Sequence, residues 1–273
     1  MRKIIILTLT ICTTALIYVS CSSSDDVINQ TDPSAVGASV AIDAANEMDV
    51  KTGLSVTAST ETAKTTESAP ISCATTTVTM PNGTAYPKVF TINYGAGCTI
   101  NQLERKGKLK ITLTGPIITT GSKMTIERID YSLAGLKLEG TIEYTNTTTI
   151  ATVPQWTRKV TNGKFTDLQG RVFLNSGTFT TKQTAGVDTP YLLEDNVYEI
   201  PDGTHTVITD KGGTLTLTVK ETLVKKYSCE FISKGELQVV GGYLNGIVDY
   251  GNNECDAKYT YIHENGTAYN LSM

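Results

Sequence analysis

The chain has 273 residues, with 23 Lys and Arg against 27 Asp and Glu and a formal net charge of −4. Without Arg2 and Lys3 the balance is 21 basic to 27 acidic groups, or −6. A mildly acidic chain argues against a nucleic-acid partner, which needs clustered Lys and Arg, and no segment after residue 20 is apolar enough to span a bilayer.

Arg2 and Lys3 precede residues 4–19, a run without charge that is mostly Ile, Leu, Thr and Val. Its length suits a signal-peptide core and is short of the roughly 20 apolar residues of a membrane span. Val19-Ser20-Cys21 closes the run. The triplet resembles the lipobox of bacterial lipoproteins, in which a small residue precedes the cysteine that is lipidated and becomes the new N-terminus. Tyr18 departs from the pattern, where Leu is usual, and Cys12 has no small residue before it. The resemblance implies a signal peptide over residues 1–20 and palmitoyl-type acyl chains on Cys21. An ordinary secretory signal with an incidental cysteine is the alternative. Each buried CH₂ contributes about 0.8 kcal/mol and one acyl chain binds only marginally, so two or three chains make the anchor durable. Ser22-Ser23-Ser24-Asp25-Asp26 resembles the surface-export tag of lipoproteins from Bacteroidota-type bacteria. It implies an outer-membrane protein facing the exterior, with a periplasm-facing anchor as the competitor.

Residues 21–70 are rich in Thr, Ser and Ala. With few large apolar groups to offset ordering entropy, they are expected to form a flexible, disordered linker. One piece, "SAVGASVAIDAANEM" at 34–48, is predicted as a short helix capped by Asp32 or Ser34, although Gly37 opposes it.

Residues 71–273 alternate with period two. In "KGKLKITLTG", Leu109, Ile111 and Leu113 share one face and Lys108, Lys110 and Thr112 the other; Leu215, Leu217 and Val219 repeat the pattern. Alternation with Thr on the wet face predicts half-buried antiparallel strands. Asn82-Gly83, Asp202-Gly203, Gly212-Gly213 and Asn265-Gly266 are predicted hairpin turns, since these residues tolerate positive φ. The expected class is all-β: an antiparallel sandwich, or a strongly curved sheet closing toward a partial barrel.

Beyond Cys12 and Cys21, four cysteines remain: Cys73, Cys98, Cys229 and Cys255. An even number in an oxidising compartment predicts two disulfides. "SCATTTVTMPNGTAYPKVFTINYGAGC" and "SCEFISKGELQVVGGYLNGIVDYGNNEC" echo each other. Both run from Ser-Cys through strand, turn and strand to a second cysteine, which favours local pairs, Cys73–Cys98 and Cys229–Cys255, each stapling one hairpin. Aligning instead on "NGTAY", at 82–86 and 265–269, matches Cys73 to Cys255 and permits a cross-pairing. Four cysteines allow three connectivities. The C-terminal "IVDYGNNECDAKYTYIHENGTAYNL" and the Tyr-Gly-x-Gly-Cys segment ending at Cys98 resemble a family of Bacteroidota lipoproteins with no settled activity. The likeness covers roughly residues 70–273 and implies a location and an architecture, not a site.

Residues carrying chemistry are sparse. His205 and His263 sit in no catalytic motif, and there is no Gly-x-Ser-x-Gly elbow, P-loop, dinucleotide fingerprint or His/Cys metal spacing. No cofactor is expected. The loop "DYGNNECD" brings Asp249, Asn252, Asn253, Glu254 and Asp256 together as a calcium candidate, against a turn in which Asx side chains bond their own backbone. Trp156 beside Arg158 is a candidate sugar platform, against a core-filling role. Glu139 and Glu143 share a strand face as the carboxylate pair a glycosidase needs, against a solvated face. The expected function is a lipid-anchored envelope protein that binds a glycan or protein at the cell surface. A periplasmic carrier of an apolar ligand is second and a glycan-active enzyme third.

Overall fold

A computed structural model describes residues 33–62 and 73–273. The signal-peptide, Cys21 and export-tag expectations lie outside the described residues. The helix α1 spans Ser34–Thr62. It is followed by β1 Thr75–Thr79, β2 Lys88–Ile100, β3 Leu103–Leu113, β4 Lys123–Leu133, β5 Leu136–Asn146, β6 Gln155–Thr166 and β7 Val172–Ala185. Then come β8 Val197–Ile208, β9 Thr214–Lys226, β10 Lys234–Val240, β11 Gly246–Asn252, β12 Lys258–His263 and β13 Ala268–Ser272. The strands form one antiparallel meander in which spatial order equals chain order, and among the described residues β1 and β13 are its edges. The expected antiparallel all-β class is borne out, and of the two forms expected the strands make a single sheet, which does not close.

The alternating strands behave as their sequence dictates. Leu109, Ile111 and Leu113 are at most 1% exposed, while Lys110 pairs with Glu127 on the wet face at 2.8 Å. Lys123–Glu143, Lys164–Glu139 and Lys220–Glu236 repeat this cross-strand pairing. Exposed pairs of this kind contribute roughly 0–1 kcal/mol each. They keep the outer face wet while the apolar face turns inward.

Inside lies the main correction. Within the segment 21–70 expected to be linker with a short helix over 34–48, the described part is a 29-residue helix, Ser34–Thr62, at the centre of the core, and the rest of that expectation lies outside the described residues. Val36, Val40, Ile42, Met48, Val50 and Leu54 are all buried, and so are Ser39, Asp43, Asn46 and Asp49. The helix is buried on every side, and its polar groups are paired there with side chains of the sheet rather than with water. The sheet curls around it: α1 touches Arg105 on β3, Arg128 and Tyr131 on β4, Arg158 on β6 and, through Lys51, Glu230 after β9. One apolar cluster joins its middle and C-terminal half to β2–β8, and a second joins Val36 and Val40 to β7–β12. The first intrahelical bond runs from the Gly37 N–H to the Pro33 carbonyl, and the Ser34 hydroxyl accepts from Arg171.

Three of the four predicted turns form, with Gly83 at φ 67°, Gly212 at 79° and Gly266 at 88°. Asp202-Gly203 is instead inside β8, at an irregularity between Ile200 and Thr204. A Cβ on Gly203 would sit 2.3 Å from the Phe179 ring, so glycine there serves a close approach rather than a reversal. The disulfides are Cys73–Cys98 and Cys229–Cys255, the local pairing, and each brackets one hairpin, β1–β2 and β10–β11.

Candidate functional site

The densest chemistry is buried where the acidic face of α1 meets inward-facing arginines. Asp43, Glu47 and Asn46, Asp49 lie three or four residues apart, so they fall on neighbouring stripes of the helix. The Asp49 carboxylate accepts from the Arg128 guanidinium at 2.9 Å and from the Tyr131 hydroxyl at 2.8 Å. Asn46 takes a second Arg128 N–H at 2.9 Å. Arg105 donates to Tyr131 and to Thr52, each at 3.0 Å, and lies 3.6 Å from Asp49. Farther toward the N-terminus of α1, Arg158 pairs with Asp43 at 2.5 Å and with Glu47 at 3.0 Å, and its guanidinium covers the Phe179 ring. At the outer end Lys51 donates to Glu230 at 2.8 Å, and Glu230 also accepts from Asn101 at 2.8 Å, tying α1 to the β2–β3 turn and the β9–β10 loop.

These charges shift one another. Burial raises the Glu47 carboxyl, and the Arg158 charge opposes it without prevailing. Burial alone would depress Arg158, but Asp43 and Glu47 hold it above its ordinary value. Lys225 is pushed down to about 8 by burial, against the pull of Glu47. His205 is pushed down to about 4 by burial, with Asp43 opposing and Arg158 assisting. Among the described residues neither imidazole nitrogen of His205 has a hydrogen-bond partner, and burial keeps the ring neutral near pH 7. Glu47, Lys225, Tyr144, Thr181 and Tyr198 line a cavity of about 20 Å³, room for a single water. A reacting substrate does not fit there. The chemistry this cluster performs is to hold the helix in one rotation and one register.

Of the residues named from sequence, Arg158 and His205 belong to this cluster, and the other candidates have roles of their own. Trp156 is 4% exposed, donates its indole N–H to the Ile117 carbonyl at 3.0 Å and stacks on Tyr144. It fills the core and offers no face to a sugar. In the acidic loop Asp249 accepts from the Gly251 N–H at 2.7 Å and Asp256 from the Lys258 N–H at 3.2 Å, both Asx-type turns. Asp249, Asn252 and Asp256 line an open depression that Glu254 does not reach. Among the described residues no group of three or more His, Cys, Asp or Glu is placed to hold a metal ion. His263 faces the Tyr243 carbonyl at 2.7 Å, on the rim of a second open depression. Glu139 and Glu143 are each engaged by lysines on the outer face.

Arg105 and Arg128 were not singled out from sequence and Arg158 only as a neighbour of Trp156, yet a signal for buried arginines exists. Arg128 shares strand parity with Met124 and Ile126, and Arg158 with Trp156 and Val160, so both occupy inward positions. The fold and interior together define a class: an open antiparallel meander wound around a central helix and keyed to it by buried ion pairs. No protein-family model, curated protein or solved structure matches the chain.

Proposed function

We propose that the chain is a lipid-anchored cell-envelope protein, held at the outer membrane through Cys21 and facing the exterior, whose β platform is a binding or interaction module for a glycan or protein partner. The observation that carries this reading is the occupied interior. Val36 to Val56 of α1 fill the space that a curved sheet would otherwise offer to a ligand, and ion pairs fasten them there. That arrangement leaves the loops and outer strand faces as the surface for recognition. It also weighs against the apolar carrier, which needs the same space empty. The two disulfides suit an oxidising compartment. The lysine-bound Glu139 and Glu143 lend nothing to a glycan-active enzyme.

Two measurements test the reading. Metabolic labelling with a palmitate analogue should mark the wild type and not Cys21→Ala; equal labelling of both removes the anchor. Protease shaving of intact cells should then release a C-terminal tag while a periplasmic control stays uncut. Protection of the tag until the outer membrane is opened, with an unfolded control digested, reverses the orientation.

A further inference from the structure

We infer that copies of this chain associate edge to edge through β1, pairing antiparallel with the same strand of a second copy. Among the described residues both edges of the sheet are open, and an open edge presents a row of unpaired N–H and C=O groups. Edges are usually guarded by shortness, charge, proline or a bulge, and of these β1 has only its length of five residues. Here the pattern is inverted. Each inner strand, β2 to β12, carries at least one Lys, Arg, Asp or Glu, and only β1, "TTTVT", and β13, "AYNLS", carry none. β1 is also regular: its five residues pair with β2 in unbroken register from Thr75↔Asn93 to Thr79↔Val89. The Cys73–Cys98 bond, two residues before the strand begins, holds it on β2.

The occupant follows from the sequence of the edge. Antiparallel pairing centred on Thr77 sets Thr77 opposite its own counterpart, Thr76 opposite Val78, and Thr75 opposite Thr79. Every pair is then Thr–Thr or Thr–Val, which suits a cross-strand contact, and no like charges meet. Pairing of identical strands is isologous and closes as a two-fold dimer. The apolar surface points the same way: Val78 is 38% and Met80 52% exposed at this edge. At the other edge Tyr269 and Leu271 already pack against the core. With only five residues to pair, the dimer belongs to the weak, concentration-dependent class of association. The association does not depend on the anchor proposed above, and its test does not read anchoring.

The test is sedimentation velocity of the full chain in mild detergent over a concentration series, with Thr77→Lys and Thr77→Glu alone and mixed. The wild type should shift from monomer to dimer. Each charged variant should weaken that shift roughly tenfold, because like charges then face each other across the axis. An equimolar mixture of the two should recover it. A wild type that stays monomeric throughout overturns the inference, as does a dimer that both charged variants leave intact. Loss without recovery on mixing overturns the Thr77-centred register. Thr77 is exposed, so neither charge disturbs the core. Thr77→Cys gives an independent reading: mild oxidation should link two copies covalently, and a non-reducing gel showing only monomer contradicts the pairing.

Discussion

Asp49 on α1 and Arg128 on β4 form an ion pair at 2.7 Å in which neither side chain is more than 1% exposed. A pair so placed gives up its hydration on both sides, and the attraction between the partners, with the hydrogen bonds of Asn46 and Tyr131, offsets that loss. Its value lies in specificity. An apolar helix inside an apolar sheet can rotate or slide among similar packings, but the three arginines accept one placement of Asp43, Glu47 and Asp49.

Removing one partner should therefore cost far more than the pair contributes. Asp49→Ala leaves Arg128, Arg105 and Tyr131 without their shared acceptor and is expected to destabilise by about 3–5 kcal/mol. The double change Asp49→Leu with Arg128→Met should recover much of that loss. Urea midpoints of the three proteins check this; a single variant within 1 kcal/mol of wild type, on the same scale, would show that the interior is hydrated and the pair expendable.

His205 makes the fold acid-sensitive in a defined window. Its folded value is about 4 and its ordinary value 6.5. Between those pH values the unfolded chain binds the proton that the folded chain excludes, so stability falls as pH drops from 6.5 to 4. The full loss is about 3 kcal/mol, from the size of the shift. His205→Leu should remove that part of the slope, and thermal midpoints at pH 7, 5.5 and 4 measure it. Equal slopes in both proteins would place an unseen partner on the imidazole.

Gly203 should tolerate no side chain. Its φ is 149°, and a Cβ would lie 2.3 Å from the Phe179 ring and 2.8 Å from the Phe179 Cα. The contact includes backbone, so it is not relieved by a rotamer change. Gly203→Ala is expected to cost about 2 kcal/mol, within the range for overpacking. Gly83→Ala, in the β1–β2 turn with nothing within 4 Å, meets only the strain of its φ of 67° and should cost less. Chemical denaturation of both ranks them.

Much of the sheet was legible because strand patterning is local. Leu109, Ile111 and Leu113 declare their face by alternation alone, and Asn82-Gly83 and Asn265-Gly266 declare turns by the φ they permit. The local disulfide pairing was legible through the echo of the two cysteine segments. Asp202-Gly203 misled because the same dipeptide serves a turn and a close strand-to-ring approach, and only Phe179 distinguishes them.

The sequence by itself determined much of the strand pattern and its faces and favoured the local cysteine pairs, since each depends on neighbours in the chain or on a repeated pattern; the structure chose those pairs over the cross-pairing. The tertiary structure alone decided the place of α1. A helix buried on all sides shows no division into an apolar and a wet face, and its Thr, Ser and Ala read as linker until a sheet surrounds them. Asp43, Glu47 and Asp49 look like a solvated face for the same reason: a buried acid differs from an exposed one only in the arginine it meets, and Arg105, Arg128 and Arg158 lie 56, 79 and 115 positions farther along the chain. Long-range pairing of that kind is written in no local window.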